Sequence, residues 1–154
     1  MTVKETNLKG CYIIEPKIFN DQRGYFFESF NLNKFNELTN SNIAFVQDNE
    51  SCSSKGVLRG LHYQEDEYAQ AKLVRVIKGS VLDVVVDIRE NSPTFGEHFS
   101  IELSAENKTQ LFIPRGFAHG FLVLEDQTIF SYKCDNYYNK AAERGIIFND
   151  ITLK

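Results

Sequence analysis

The fold is decided by residues 72–89, KLVRVIKGSVLDVVVDIR, which read as two β-strands around a turn. Side chains alternate between the two faces of a strand, so Lys72 shares a face with Val74 and Val76. The turn falls at Gly79, a residue type that accepts the positive φ angles of tight turns. We therefore predict a hairpin with Lys72 at one end, pointing inward. Lysine is mostly exposed in proteins, so burial statistics by themselves favour a surface position for Lys72 over the inward one.

Similar strand patterns recur along most of the chain. Runs of β-branched and aromatic residues, separated by Gly, Asn, Ser and Pro, cover residues 24–30, 43–48, 57–63, 71–78, 81–89, 98–103, 110–113, 119–124 and 128–134. One short helix is expected at residues 32–39, with Asn31 as its cap. Many short strands without alternating helices predict an all-β protein, an antiparallel jelly-roll sandwich or barrel.

Length and composition limit the classes of function. A chain of 154 residues with no visible linker favours one domain spanning residues 1–154. A net charge of −4 argues against a nucleic-acid partner, because such proteins usually carry a basic surface. No apolar run reaches the length of a membrane span, and the polar start of the chain is unlike a signal peptide. We therefore expect no membrane partner and a cytoplasmic protein.

The cysteines and histidines do not form a metal-binding pattern. The three cysteines Cys11, Cys52 and Cys134 are widely spaced, which favours reduced, structural thiols. His62 and His119 each stand alone beside glycine and aromatic residues. No second ligand lies nearby in the sequence at metal-binding spacing, so we expect acid-base work or anion binding rather than a metal centre. A structural histidine satisfied by hydrogen bonds is the alternative for both residues.

Further candidates lie on strands or just beyond them. Tyr132 shares a face with Phe130, where a phenol can donate a proton or anchor a hydrogen bond. Tyr137 and Tyr138 follow the strand and fit an exposed stacking surface. Arginines stand near several strand ends, and two that converge would hold a pyrophosphate: the candidates are Arg23, Arg59, Arg75 and Arg115.

These motifs occur together and in order. The segments are 21–30 (DQRGYFFESF), 46–49 (VQDN), 59–64 (RGLHYQ), 72–76 (KLVRV), 83–89 (DVVVDIR), 92–96 (SPTFG), 113–121 (IPRGFAHGF), 132–138 (YKCDNYY) and 143–145 (ERG). The set resembles the dTDP-4-dehydrorhamnose 3,5-epimerase family from about residue 8 to residue 150. The resemblance rests on the mutual spacing of all the segments rather than on any single motif.

The resemblance implies a cupin-like jelly roll, usually a homodimer, that acts on a dTDP-sugar without a metal or an organic cofactor. The expected reaction converts dTDP-4-dehydro-6-deoxy-D-glucose into dTDP-4-dehydro-L-rhamnose. Carbons 3 and 5 flank the C4 ketone, so removal of either proton yields an enolate, and its return to the opposite ring face inverts the centre. By resemblance His62 is the base, Tyr132 is the acid, and Lys72 supplies positive charge for the enolate oxygen.

The resemblance also assigns contacts to the nucleotide and the sugar. Arg23 and Arg59 match residues that contact the diphosphate and the substrate, and Tyr138 matches the residue that stacks on thymine. The other matched ligand contacts are Glu28, Gln47, Asn49, His119 and Glu143. In the segment with Arg23 and Glu28, part of the pocket is expected from a partner subunit.

One departure concerns the end of the chain. Family members usually continue for roughly thirty residues past the point that matches Asn149 and Asp150, and this tail carries a carboxylate that holds the catalytic histidine. The chain ends at Lys154, so we expect it to lack the tail, and Asp83 is the candidate to orient His62 instead. Two alternatives follow: an epimerase that inverts only C3 or only C5 in another pathway, and a sugar-nucleotide-binding protein of impaired activity. A metal-dependent cupin is a weaker reading, because each motif holds a single histidine.

Overall fold

The structure is a computed structural model that describes residues 1–147. The expectation about the chain end, at Asn149, Asp150 and Lys154, lies outside the described residues. The strands are β1 (Thr2–Glu5), β2 (Tyr12–Glu15), β3 (Ile18–Asp21), β4 (Gly24–Phe27), β5 (Gln47–Ser53), β6 (Leu58–Gln64), β7 (Lys72–Lys78), β8 (Ser80–Asp87), β9 (His98–Ser104), β10 (Gln110–Ile113), β11 (Phe117–Val123), β12 (Thr128–Cys134) and β13 (Glu143–Gly145). The helix α1 spans Leu32–Thr39, and short 3₁₀ turns lie at Asp66–Tyr68 and Lys140–Ala142.

The strands form two large antiparallel sheets and a separate hairpin. The first sheet has the order β1-β2-β10-β7-β12-β5, the second has the order β13-β6-β11-β8-β9, and β3 pairs with β4 alone. The main hydrophobic core lies between the two large sheets, with Val74 and Phe130 from the first and Val85 and Phe121 from the second. The prediction of an antiparallel β-sandwich with one short helix is confirmed.

The helix begins and ends where the sequence predicted. The Asn31 side chain accepts a hydrogen bond from the Lys34 backbone N–H, and Asn40 closes the other end in the left-handed conformation. Phe35 is fully buried against Phe112 and Leu73, so the helix covers the outer face of the first sheet. No helix within residues 1–147 has the length and apolarity needed to cross a membrane.

The predicted hairpin at residues 72–89 is wrong. β7 belongs to the first sheet and β8 to the second, so the chain changes sheets at Gly79. The conformation at Gly79, with φ of 83°, brings the backbone against Thr128, where a Cβ atom would clash. Alternation within a strand shows which residues share a face, but it does not show which strand lies alongside.

Several strand boundaries also differ from the prediction. The segment predicted at residues 43–48 becomes a strand only at Gln47 and runs to Ser53, through polar residues that lack a β-strand signature. The segment predicted at residues 24–30 ends at Phe27. Strands β1, β2, β3 and β13, of three or four residues each, were not predicted.

Candidate active site

A cavity of about 430 Å³ opens between the two sheets. Its walls are built by β5 and β12 from the first sheet, β6 and β11 from the second, and the start of β7. Six of the residues selected from the sequence line it: Asn49, Arg59, His62, Lys72, His119 and Tyr132. Residues far apart in the sequence therefore meet in one place, as the prediction required.

A larger cavity of about 720 Å³ shares Lys72 and His119 with this one. Its other walls carry the carboxylates of Glu65, Asp66 and Glu90. Neither His62 nor Tyr132 lines it. The smaller cavity is therefore the one that combines a base, an acid and a cation.

Close contact between two strands places His62 in the cavity wall. On β6 and β11, His62 lies directly opposite His119, and the register shifts between His119 and Phe121. A Cβ atom on Gly60 would lie 2.5 Å from the His119 carbonyl oxygen and 2.7 Å from the Gly120 Cα, so only glycine fits at Gly60. The expectation that Gly60 marks a close approach is confirmed.

Glu143, not Asp83, is the carboxylate beside His62. The Nδ1 atom of His62 lies 4.0 Å from Oε1 of Glu143, on the neighbouring strand β13. This distance is longer than a hydrogen bond, and the His62 side chain is 54% exposed. The suggestion that Asp83 orients His62 is wrong, because Asp83 is bound to His119.

Tyr132 lies on the opposite sheet from His62. It faces Asn49 on β5 and Val74 on β7, and its ring packs 5.9 Å from that of Phe130. Burial raises the pKa of the Tyr132 phenol above its usual value. The phenol is therefore protonated at neutral pH and can donate.

Lys72 points into the cavity, as the alternation predicted, and the surface interpretation is wrong. Its Nζ atom lies 5.4 Å from the centre of the Tyr132 ring. Burial lowers the pKa of the ammonium, while the negative charges of Asp83 and Glu143 oppose this shift. Lys72 is thus a largely desolvated amine next to the proposed acid, and the charges of Asp83 and Glu143 favour its protonated form.

His119 and Asp83 form a buried pair behind the cavity wall. The Nε2 atom of His119 lies 2.9 Å from each carboxylate oxygen of Asp83. His119 is 6% exposed and Asp83 is 0% exposed. His119 is therefore more than a surface contact for a ligand, and its carboxylate partner was not recognised from the sequence.

The predicted nucleotide contacts form a chain of hydrogen bonds. The Tyr138 hydroxyl donates to Glu143 Oε2 at 2.8 Å, and the Tyr138 backbone N–H donates to Gln47 Oε1 at 3.0 Å. Gln47 in turn donates through Nε2 to Asn49 Oδ1 at 3.1 Å. Tyr138 is 54% exposed, so its ring is free to stack on a planar base. These four residues link the exposed tyrosine to the cavity wall at Asn49.

Arg59 has a partner that the sequence did not reveal. Its Nε atom donates to the hydroxyl of Ser53 at 3.0 Å, and Ser53 is buried. This bond engages one edge of the guanidinium, and within residues 1–147 neither terminal nitrogen forms a hydrogen bond, so both can contact a ligand. A serine in a polar stretch gives no sequence signal for such a role.

Arg23 and Glu28 are not brought to the cavity of their own chain. The Arg23 side chain is 90% exposed, and Nη2 pairs with Asp21 Oδ2 at 2.6 Å. Glu28 pairs with Lys34 at 3.2 Å. Both residues belong to the segment formed by the β3–β4 hairpin and the chain just after it.

Two other expectations concern metals and charged anchors. Within residues 1–147, no group of three or more His, Cys, Asp or Glu side chains is arranged to hold a metal ion. The cofactor-free reaction stays a prediction. Arg75 and Arg115 do not line the cavity, and Arg115 instead pairs with Asp135 at 2.9 Å.

Comparisons with known proteins agree on one family. The family model described as dTDP-4-dehydrorhamnose 3,5-epimerase matches residues 5–154. The chain is 57% identical over 153 residues to the dTDP-4-dehydrorhamnose 3,5-epimerase of Shigella flexneri, covering 99% of this chain and 84% of that protein.

Solved structures lead to the same result. The crystal structure of dTDP-4-dehydrorhamnose 3,5-epimerase from Elizabethkingia anophelis NUHP1 matches with a TM-score of 0.95 and 60% identity, covering 99% of this chain and 84% of that one. A dTDP-6-deoxy-D-glucose-3,5-epimerase of Legionella pneumophila, solved with dTDP-4-keto-L-rhamnose, matches with a TM-score of 0.95 and 51% identity, covering 99% and 80%. With a family model that covers nearly the whole chain and relatives at this identity, the chain belongs to the dTDP-4-dehydrorhamnose 3,5-epimerase family.

Proposed function

We propose that the protein converts dTDP-4-dehydro-6-deoxy-D-glucose into dTDP-4-dehydro-L-rhamnose by inverting C3 and C5 of the sugar. The observation that carries the proposal is that His62, Lys72 and Tyr132 line the same cavity. Family membership supplies the substrate class, and a relative binds the product sugar nucleotide in a matching fold.

The position of acid and base on different sheets supports the proton transfers. His62 lies on β6 of the second sheet, and Tyr132 lies on β12 of the first. His62 removes the proton from the carbon beside the ketone, and the electron pair of the C–H bond moves onto the C4 oxygen. Tyr132 then gives its phenolic proton to the carbon from the other ring face. Solvent afterwards takes the proton from His62 and returns one to Tyr132.

Lys72 has the position for stabilising the enolate. Its ammonium stands beside the Tyr132 ring at 5.4 Å and lines the cavity. A partly desolvated cation interacts more strongly with a developing negative charge than a solvated one does. We therefore assign Lys72 to the C4 oxygen of the intermediate.

The exposed end of the site fits the nucleotide. Tyr138 presents its ring to solvent next to Glu143, so we assign it to stacking on thymine. Arg59, held through Nε by Ser53, is assigned to the diphosphate. Gln47, Asn49 and Glu143 are assigned to polar contacts between these two ends.

A homodimer is also proposed, because Arg23 and Glu28 lie outside the cavity of their own chain. The hairpin that carries Arg23 has strongly exposed aromatic residues: Phe19 is 53%, Tyr25 is 59% and Phe26 is 71% exposed. Packing against a second copy would bury this surface and bring Arg23 to the partner's site. An apolar groove of about 340 Å³ adjoins that site and shares Leu58, Arg59 and Gly60 with it.

Subunit complementation tests the shared site. If Arg23 acts across the interface, mixing inactive Arg23→Ala and His62→Ala proteins yields mixed dimers with one intact site, and activity returns. If Arg23 acts within its own chain, both sites of the mixed dimer are defective and no activity returns. Sedimentation of the parent and of Phe26→Asp reports dimerisation directly.

The cytoplasmic location remains part of the proposal. Cys11, Cys52 and Cys134 are all free thiols, which is typical of a reducing compartment.

Deuterium incorporation tests the reaction. The protein is incubated with dTDP-4-dehydro-6-deoxyglucose in deuterated water, and the label is located by NMR. Label at both C3 and C5 with inverted configuration supports the proposal. Label at one carbon identifies an epimerase of one centre, and binding without label identifies a protein of impaired activity.

A further inference from the structure

The floor of the active site contains a carboxylate that the proton transfers leave unused. Asp83 is completely buried and does not line the cavity, whereas His119 lies between Asp83 and the cavity. Both carboxylate oxygens are 2.9 Å from the same nitrogen, Nε2 of His119. Among residues 1–147, no other side chain donates a hydrogen bond to Asp83. The two side chains therefore form one dyad.

The second nitrogen of the ring opens onto the cavity. Nδ1 of His119 has no hydrogen-bond partner among residues 1–147, although every fully buried side-chain nitrogen or oxygen of that part of the chain has one. Nδ1 is consequently accessible, and the space next to His119 is formed by the two cavities that His119 and Lys72 both line. The ring is fixed in this direction by Phe130, stacked at 6.1 Å, and by Phe121 at 6.2 Å.

The charge of the dyad determines what Nδ1 can do. With two protons the dyad is neutral: one proton lies in the bond between Asp83 and Nε2, and the other is on Nδ1. This holds whether the shared proton lies nearer the carboxylate or the ring. With one proton the dyad carries a net negative charge, and Nδ1 has only a lone pair.

Burial favours the neutral dyad. It raises the pKa of Asp83, while the charges of His119 and Lys72 act in the opposite direction. A buried group with a net charge and no further donors is costly, so the second proton is retained. The titratable and charged groups around the pair are Lys72 on β7, Arg59 and His62 on β6, Tyr132 and Cys134 on β12, Glu143 on β13, and Cys11 in the loop before β2.

We infer that His119 donates a hydrogen bond through Nδ1–H to the C4 oxygen as the enolate forms, and that Asp83 is the positioning residue that keeps this donor protonated and aimed. Together with Lys72, His119 completes a two-point site for the oxygen, of the kind that stabilises developing negative charge in other enzymes. The proton on Nδ1 is shared in a hydrogen bond and is not transferred, so the proton balance of the reaction is unchanged. This inference rests on the proposed function, which supplies the enolate.

The first test measures the proton on Nδ1 in the unaltered protein. Nitrogen-15 NMR of histidine-labelled protein at neutral pH, assigned with His119→Gln, is expected to show a hydrogen on Nδ1 of His119. An Nδ1 without a hydrogen would overturn the inference. This measurement needs neither substrate nor turnover, so it remains decisive if the epimerase function fails or if a variant does not fold.

The second test removes the negative charge. Asp83→Asn keeps the size of the side chain and a hydrogen bond to Nε2, but its amide can accept from Nε2–H as well as donate to Nε2, so it no longer holds the proton on Nδ1. We expect kcat for deuterium exchange to fall by about 10²–10³, the loss seen for one oxyanion donor, with KM and dTDP affinity within about twofold of the parent. A parental kcat would refute the role of Asp83.

The matched control is Asp87→Asn. It removes an equally buried carboxylate from the same face of the same strand, outside both cavities. Its kcat per folded molecule is expected to equal that of the parent. If Asp83→Asn and Asp87→Asn lose kcat equally, the loss comes from a general disturbance of β8. That result would contradict the inference.

Discussion

Asp83 and Asp87 lie four residues apart on one face of β8 and are both 0% exposed, yet their surroundings are opposite. Asp87 accepts five hydrogen bonds, three from Arg89 and one each from Ser92 and Thr94. Asp83 has one donor, His119. A buried carboxylate with many donors strengthens a fold, whereas one with a single donor is kept at a cost in stability. We call the end of β8 that carries Asp87 the architectural end, because its carboxylate supports the fold. We call the end that carries Asp83 the chemical end, because its carboxylate lies next to the active site.

The pKa values shift in opposite directions for the same reason. Burial alone would raise the pKa of Asp87, but hydrogen bonds from Arg89, Ser92 and Thr94 outweigh it and hold the pKa well below its usual range. At Asp83 burial prevails and the pKa is raised. Arg89 also stacks 4.7 Å from the Phe117 ring and donates to the Lys9 carbonyl, so the Asp87 cluster ties the loop after β8 to β11.

The largest effect is expected at the chemical end, from the base and the acid that line the cavity. His62→Ala should abolish both deuterium exchange and epimerisation, because no base remains. Tyr132→Phe keeps the ring and its packing, so exchange should continue from the original face while epimer yield falls further than exchange. NMR of label position and configuration measures both rates. Epimerisation at the parental rate in Tyr132→Phe, or exchange in His62→Ala, would show that the roles are assigned wrongly.

The next effect lies at the architectural end. Asp87→Ala leaves the partly buried donors of Arg89, Ser92 and Thr94 without an acceptor. Loss of one partner of a fully buried charged pair typically costs about 3–5 kcal/mol, and the 31% exposure of the Arg89 side chain places the expected loss at or below the lower end of that range. Urea unfolding should show this loss in the free energy of unfolding. Asp83→Asn is the comparison and should be neutral or stabilising. If Asp83→Asn is as destabilising as Asp87→Ala, the contrast between the two ends fails.

Stability should also depend on pH in opposite ways at the two ends. Asp87 has a lowered folded-state pKa, so its stabilisation is present above the unfolded value of about 3.9 and is lost as the pH falls further. Asp83 has a raised folded-state pKa, so folding is penalised as the pH rises from about 3.9 through the folded value. Urea unfolding between acid and neutral pH gives the free energy of unfolding of the parent, Asp87→Asn and Asp83→Asn. The difference between the parent and Asp87→Asn should change with pH in the opposite direction to the difference between the parent and Asp83→Asn. Slopes of the same sign would contradict the assignment.

The smallest effect is expected at the exposed rim, which belongs to neither end of β8. Tyr138→Ala removes a ring that is 54% exposed, so the fold should be unaffected. Binding of dTDP, measured by calorimetry, should weaken by about 1–3 kcal/mol, the usual value for stacking on a base. Tyr138→Phe is the matched control, because it keeps the ring and loses only the bond to Glu143. Unchanged dTDP affinity in Tyr138→Ala would remove this residue from the site.

The sequence predicted elements best where local chemistry determines them. The helix Leu32–Thr39 was predicted with both its ends, because a cap at Asn31 and an apolar spacing are local signals. Strands β10 and β12 were also predicted at their observed bounds. The polar strand β5 was largely missed, because its pairing with β12 is a tertiary interaction that leaves no local pattern.

For the candidate site, too, some residues were predicted from the sequence and others were found only in the structure. Family motifs identified His62, Lys72 and Tyr132, and the structure places them in one cavity. The partners of the site residues were not predictable: Asp83 was paired with the wrong histidine, and Ser53 was overlooked. These partners depend on strand register and on which sheet each strand joins, and both are set by contacts between distant residues.

By itself, the sequence determined the all-β class, the short helix and, through its ordered motifs, the family. Only the tertiary structure decided that β7 and β8 join different sheets, that His62 and Tyr132 stand on opposite walls, and that Asp83 binds His119. The physical reason is the distance along the chain over which each interaction acts. Side-chain alternation and helix capping act over a few neighbouring residues, whereas the burial that shifts the pKa of Asp83 requires the closed core between two sheets.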